Sequence, residues 1–378
     1  MTKRAYTNAG DFPLRLLCIV SSMDVGGAET FLMKMYRELD TERHQMDFCV
    51  SGDGRGYYED EIEDRGGRVF RITRKSVSLP RFARDLFNVV RSNGYDRVLR
   101  VGSDPLSALD LWVCRAAGAK LLAMRSSNAS DGKSGLGSVV SRLARGPLMA
   151  AANVKVAPSD LAAEHTFGRR AVERGEVVFL RNALDLDRYA FSAESRAAVR
   201  SELGIGADVP VVVHVGRLAP QKNHAFLLEA FAELLRLEPR ARLLLVGEGE
   251  LGGEVRSRVA GLGLGDSVRL LGVRPDVPRI LSAADVLALP SLYEGMPNVV
   301  VEAQAAGLPC VVSSSVTCQA DVTGHVSFIS LGDPSVWAHN LLGAVAEGRY
   351  NSRGALERAG YDAAAGSRKF AELFFRPI

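Results

Sequence analysis

The chain has 378 residues, of which 47% are hydrophobic and 24% charged, and its formal net charge is +3. That length suits two α/β domains better than one core, and the balance is that of an ordinary folded globular protein. The charge is too small to support a role as a polyelectrolyte on nucleic acid.

Met1 to Pro13 is polar and lacks the apolar segment of a secretion signal, and no stretch has the uninterrupted apolar length of a spanning helix. The sequence therefore predicts a cytoplasmic protein, held to a membrane face at most peripherally. Five scattered cysteines, Cys18, Cys49, Cys114, Cys310 and Cys318, none at zinc spacing with a histidine, predict buried thiols in a reducing compartment.

Short β-branched or Leu-rich runs alternate with stretches of helical period from end to end, which predicts parallel sheets covered by helices on both faces. In the first half the strands are expected near Leu14–Ser21, Met46–Ser51, Arg68–Ile72, Asp96–Val101, Lys120–Met124, Val154–Ala157 and Glu176–Phe179. The polar segment Asn182–Asp208 follows and is read as the interdomain hinge. The rhythm restarts near Pro210, with strands near Val211–Val215, Arg242–Val246, Val268–Leu271, Val286–Leu289, Cys310–Val312 and Val326–Ile329.

In such sheets ligands collect beyond the C-terminal ends of the strands. The first loop there, Met23 to Glu29, carries Gly26 and Gly27, which would let a backbone approach a substrate or phosphate; a lone Gly-Gly turn is a weak signal. The loop Gly216–Asn223 sets Arg217 and Lys222 between a strand and a helix. A guanidinium fork and an ammonium point charge beside a helix N-terminus suit a diphosphate, although spacing alone fits two solvated surface cations equally well. The third constellation is Leu289–Asn298. Gly295 allows close approach, Pro297 suits a helix entry, and the free amides at that entry can bind oxygen atoms. Glu294 sits on this loop, and Glu302 follows in an otherwise apolar helix, where a carboxylate needs a partner such as the vicinal hydroxyls of a ribose.

Gly26-Gly27-Ala28-Glu29, Gly216-Arg217 with Lys222-Asn223, Val246-Gly247-Glu248-Gly249 and the Glu294 and Glu302 pair occur in that order and at characteristic intervals. Together they resemble the retaining GT-B glycosyltransferases of family four. Leu270–Val277 and Glu302–Cys310 further resemble that family's bacterial exopolysaccharide and capsule transferases. The resemblance spans nearly the whole chain and is strongest from Val211 to Ser313.

It implies an α/β GT-B architecture of two Rossmann-like domains with a cleft between them. Residues 1–184 would bind the acceptor, 185–362 the nucleotide-sugar donor, and the C-terminal helix, 363–378, would pack back on the first domain. Arg217 and Lys222 would clamp the diphosphate, and Glu302 would bind the ribose. Glu294, with the backbone of Gly216 and of Gly295, Met296, Pro297 and Asn298, would hold the donor and its sugar. Val273 and Arg274 would lie beside the base, and Gly26 and Gly27 would approach from the other domain. Transfer would keep the anomeric configuration, with no metal and no cofactor, because the two cations stabilise the leaving group. UDP is the expected nucleotide on family habit. The expected acceptor is a saccharide, free or carried on polyprenyl diphosphate, in polysaccharide assembly at the inner membrane face; nucleic acid is not an expected partner.

Four features qualify this reading. Asp185-Leu186-Asp187 has the spacing of a metal-binding motif, yet it lies in the hinge and would duplicate the cations, so metal binding is not expected there. Ala183 replaces a glycine that the family carries at the hinge. Many relatives have a histidine after the fifth strand, where this chain reads Met124-Arg125-Ser126-Ser127-Asn128; Arg125, Ser127 and Asn128 are the candidates to contact sugar or acceptor in its place, and pairing of Arg125 with a carboxylate is the plainer alternative. The stretch Gly135–Ala150 sets Arg142 and Arg145 beside apolar residues, a face for anionic lipid or simply an amphipathic helix in solvent. Two rival functions are a nucleotide-sugar epimerase or hydrolase of the same fold, which would consume donor without acceptor, and a silent nucleotide-sugar-binding protein, which would bind without turnover.

Overall fold

The computed structural model describes residues 13–52, 54–102, 107–126, 146 and 150–376. The chain divides into two compact units, one of residues 1–183 with 363–378 and the other of residues 184–362. Both are three-layer α/β units with parallel strand pairing.

Unit 1 contains β1 (Leu14–Val20), β2 (His44–Ser51), β3 (Val69–Ile72), β4 (Arg97–Val101), β5 (Leu121–Arg125), β6 (Val154–Ala157) and β7 (Val177–Phe179), in the order β3-β2-β1-β4-β5-β6-β7. Alternate residues of each strand feed the two faces. Leu16, Cys18 and Val20 of β1 pack with helix Gly27–Glu38, while Leu17 and Ile19 pack with the helices on the other side. Both faces are covered, so the strands read as nearly continuous apolar runs.

The helix Ala363–Phe374 belongs to unit 1 and lies against Gly27–Glu38. Its Phe370 and Phe374 are fully buried, Phe370 stands 6.4 Å from the ring of Phe31, and Gly366 leaves room for Ala183 and Met35. The buried guanidinium of Arg97 donates to the carbonyls of Phe374 (3.2 Å) and Arg376 (3.0 Å), satisfying acceptors that the end of a helix leaves open.

Unit 2 contains β8 (Val211–Val215), β9 (Arg242–Val246), β10 (Val268–Gly272), β11 (Val286–Leu289), β12 (Cys310–Ser313) and β13 (Val326–Ile329), in the order β10-β9-β8-β11-β12-β13. On one face helices His224–Leu237 and Pro334–Glu347 bury Leu227, Phe231, Trp337 and Leu341. On the other Val211, Val213, Leu287 and Leu289 meet helices Val277–Ala283 and Asn298–Ala305. Arg349 ties this second layer together by donating to the carbonyls of Ala306, Leu281, Ser282 and Ala284 at 2.5 to 2.8 Å. Its burial lowers its pKa to about 10.

Among the cysteines, Cys18, Cys49, Cys114 and Cys310 are buried free thiols. Cys318 is a correction to the sequence reading: it is exposed, as the first residue of the short turn Cys318–Ala320, which buries Ala320 instead. No helix among the described residues is long and apolar enough to cross a membrane.

Candidate functional site

In unit 2 the strand order reverses between β8 and β11, the place where an open parallel sheet leaves a crevice. The loops that leave these two strands, 216–223 and 290–298, are the two on which sequence placed phosphate and sugar contacts. They are joined to their neighbours by backbone bonds: Gly216 N donates to Val246 O (2.9 Å), Leu218 N to Glu248 O (3.0 Å), Leu251 N to Leu218 O (2.9 Å) and Gly247 N to Gly272 O (2.8 Å). Gly247 has φ of +130°, and a side chain there would collide with the Gly216 carbonyl oxygen. The Val246-Gly247-Glu248-Gly249 motif thus has a local purpose, letting loop 216–223 lie directly on its neighbour.

The structure brings Lys222 and Glu294 together. Lys222 Nζ lies 2.5 Å from Glu294 Oε1, with only 16% and 10% of the two side chains exposed, and the buried Ser291 hydroxyl donates to the same carboxylate oxygen at 2.9 Å. Gln221 Nε2 donates to Tyr293 O and Leu292 N donates to Gln221 O, both at 2.8 Å, so the two loops are bonded at three successive positions. Asn223 takes the left-handed conformation (φ 53°), which asparagine tolerates better than most residues, and the sharp turn there starts helix His224–Leu237.

The other donor-side candidates are placed as follows. Arg217 is exposed and pairs with Glu250 at 3.0 Å, an exchangeable surface contact of small worth. Gly216 leaves the room that the Lys222 stem fills. Gly295 and Met296 are partly buried, and Met296 packs against the cluster of Leu184, Leu186, Val301, Leu356 and Tyr361. Pro297 is the N-cap and Asn298 the first residue of the helix that carries Glu302. Glu302 faces Tyr189, whose phenol is pushed well above its ordinary range by burial and then by the carboxylate's charge. Val273 is 71% exposed. The Arg274 guanidinium is committed to Asp276 (2.8 and 2.9 Å) and Glu202 (2.9 Å), so its polar atoms hold the fold locally.

Sequence reasoning gave no part to His214 and His224, which the structure puts beneath this loop. The rings pack edge to face, 4.7 Å between centroids, and both are buried. His214 Nδ1 donates to Ala288 O at 2.9 Å, since a carbonyl can only accept, and in the neutral ring that burial favours this leaves Nε2 bare. Desolvation by burial, with the positive charge nearby, lowers the two pKa values to about 3 for His214 and about 4 for His224. The signal available in sequence was a polar residue closing the run Val211-Val212-Val213-His214 on a central strand.

In unit 1 Gly26 is the N-cap and Gly27 the first residue of helix Gly27–Glu38. Among the described residues, nothing lies within 4 Å of the place a side chain would occupy at Gly27, and only the Glu29 side chain crowds Gly26. Beside this loop, at the C-terminal ends of β1 and β2, is a cavity of about 130 Å³ lined among others by Ser21, Asp24, Arg55 and Arg74.

Arg125, at the end of β5, is 1% exposed. Its guanidinium carbon sits 3.6 Å over the Phe31 ring and Nη2 donates to Asn182 Oδ1 at 2.7 Å. Burial lowers its pKa to about 9. Ser127 and Asn128, and the stretch Gly135–Ala150 apart from residues 146 and 150, lie outside the described residues. Asp185 and Asp187, the metal-like pair, have structural duties in unit 2: Asp185 accepts from Arg188 N (3.0 Å) and Asp187 pairs with Arg353 (2.5 Å). Ala183 has no positive φ and is buried.

Comparison with known proteins agrees with this geometry. Residues 25–188 match the family model described as Glycosyltransferase Family 4, and residues 209–347 match that of Glycosyl transferases group 1. A putative glycosyltransferase of Bacillus subtilis, EpsF, is 34% identical over 360 residues, covering 92% of this chain and 93% of the relative. The UDP-Gal:alpha-D-GlcNAc-diphosphoundecaprenol alpha-1,3-galactosyltransferase of Escherichia coli is 37% identical over 146 residues, 38% of each chain. The fold matches the Anabaena protein HepE, crystallised with UDP and glucose, with a TM-score of 0.73 at 22% identity over 95% of this chain and 98% of that one. It also matches WaaG, a glycosyltransferase involved in lipopolysaccharide biosynthesis, with a TM-score of 0.63 at 17% identity over 95% of each. With a relative of this identity aligned over nearly its full length, and two GT-B sheets carrying the motif loops at their switch points, the chain belongs to family four of the GT-B glycosyltransferases.

Proposed function

We propose that the protein is a retaining, metal-independent transferase that moves a sugar from a UDP-sugar to a saccharide carried on a polyprenyl diphosphate, in cell-surface polysaccharide assembly at the cytoplasmic membrane face. The observation that carries this reading is the Lys222 and Glu294 pair at the switch point of unit 2. An ammonium beside a carboxylate, on two bonded loops, offers a charge for a diphosphate and an acceptor for sugar hydroxyls a few ångströms apart.

In this reading Lys222, with Arg217 once it leaves the exchangeable Glu250, balances the charge that grows on the diphosphate as the bond to the anomeric carbon breaks. The acceptor oxygen bonds to that carbon from the same side and its proton passes to a diphosphate oxygen, so the chemistry needs no metal and no cofactor. Glu294 fixes the sugar, Glu302 takes the ribose hydroxyls, and residues 273–274 offer backbone to the base. Unit 1 receives the acceptor at the Gly26-Gly27 loop. The polyprenyl-linked acceptor and the UDP donor are suggested by the printed activity of the Escherichia coli relative, and the exopolysaccharide setting by EpsF.

The test is transfer of labelled sugar from a panel of UDP-sugars to polyprenyl-diphosphate-linked saccharides, with chelator present. Glu294→Gln should lower kcat by about 100-fold or more, the scale for losing a group that acts on the reacting centre, and NMR of the product should show the donor's anomeric configuration retained. Sugar released to water at one rate with or without acceptor, or an inverted product, would contradict the reading.

A further inference from the structure

Three buried imidazole nitrogens, His214 Nε2 and both nitrogens of His224, have no hydrogen-bond partner among the described residues. Leaving a buried polar atom unpaired is costly, so three of them together mark a site completed by something else. Their position identifies it. The point where a side chain of Gly216 would begin lies 3.0 Å from Lys222 Cε and 3.4 Å from His214 Nε2, so the lysine stem and the bare nitrogen face each other across a residue that has no side chain. The Lys222 charge is close enough to both rings to depress their protonation.

We infer that His214 and His224 are positioning residues for Lys222, forming a neutral imidazole platform that takes one N–H of its ammonium while the donor is bound. The inference rests on the reading that Lys222 meets the donor diphosphate. An ammonium has three donors. Glu294 takes one at 2.5 Å, the diphosphate takes the second, and the imidazole pair accepts the third. Three anchors fix an otherwise flexible chain. Neutrality is essential, because a protonated ring there would repel the ammonium. Burial keeps the ring neutral, and the bond from His214 Nδ1 to Ala288 O places its single proton away from Lys222. His224 holds the His214 ring plane by edge-to-face contact, and it occupies the first position of its helix because the Asn223 turn puts it there.

The experiment is calorimetric titration of the full chain with UDP, using His214→Phe, His214→Gln and His224→Leu, each alone and combined with Lys222→Met, with thermal unfolding run in parallel. Lys222→Met alone should weaken UDP. His214→Phe should weaken it by about tenfold, the equivalent of about 1.4 kcal/mol. His214→Gln, which keeps an acceptor oxygen, should recover most of that loss, and neither histidine change should weaken binding further once Lys222 is replaced.

If His214→Phe does not fold, the His224→Leu and His214→Gln arms decide by the same coupling to Lys222. Histidine effects of equal size with and without Lys222, or no effect on UDP at all, would overturn the inference while leaving the phosphate role of Lys222 intact. Unchanged UDP affinity in Lys222→Met would overturn both.

Discussion

Acid should unfold unit 2 through the buried histidine pair. In the folded protein the pKa values of His214 and His224 are lowered from 6.5 to about 3 and about 4, mainly by desolvation. The unfolded chain, at the ordinary 6.5, therefore binds protons that the folded chain refuses. The sign follows directly: stability is highest above pH 6.5, falls as pH drops below it, and goes on falling until the folded values are reached. One pKa unit corresponds to about 1.36 kcal/mol, so each site costs about 2 kcal/mol at pH 5 and the pair costs about 4 kcal/mol. That is a large share of the roughly 5 to 15 kcal/mol that holds a domain folded.

The assay is urea unfolding at pH 8 and pH 5, read by fluorescence of Trp337, which is buried in unit 2. Trp112→Phe removes the other tryptophan, which lies in unit 1. The slope of stability with pH should shrink sharply in a protein that also carries His214→Gln and His224→Gln. Equal stability of unit 2 at the two pH values, or a slope that survives both substitutions, would refute the reasoning.

Three further outcomes are expected. Gly247→Ala adds a side chain against the Gly216 carbonyl at a φ that alanine rarely adopts; it should destabilise unit 2 by roughly 1 to 3 kcal/mol and displace the phosphate-side loop, seen as weaker UDP binding beside a lower Tm. Arg349→Ala removes a donor from four carbonyls, of which Ala284 O keeps a second from Arg196, and a loss of about 2 to 4 kcal/mol in urea unfolding of unit 2 is expected. A thiol reagent at neutral pH should label Cys318 at once, whereas Cys18, Cys49, Cys114 and Cys310, buried and with thiols pushed up in pKa by desolvation, should react only as the chain opens. Mass spectrometry of the labelled peptides counts them.

The strands were legible because sheets covered on both faces demand continuous apolar runs, and each of the thirteen runs named from sequence is a strand with bounds that differ by at most two residues. The loops were legible because glycine and cation spacing after a strand has few uses. What could not be read was pairing. Nothing in the spacing of Lys222 and Glu294, seventy-two positions apart, says that they touch. Nor does Arg274 announce that Asp276 and Glu202 already claim its guanidinium, or Arg125 that it is roofed by Phe31. His214 gives little signal in sequence because a lone histidine in a strand is usually a satisfied core residue, and only its orphaned Nε2 distinguishes it.

In the proposed function unit 2 binds a nucleoside diphosphate through Lys222, Arg217 and Glu302 without a metal. Calorimetric titration with UDP, GDP and ADP, in chelator, on the wild type and on Arg217→Ala and Glu302→Ala tests it most directly. The account predicts that UDP binds tightest and that both substitutions weaken it. Binding that requires added metal, or that survives both substitutions, would contradict it.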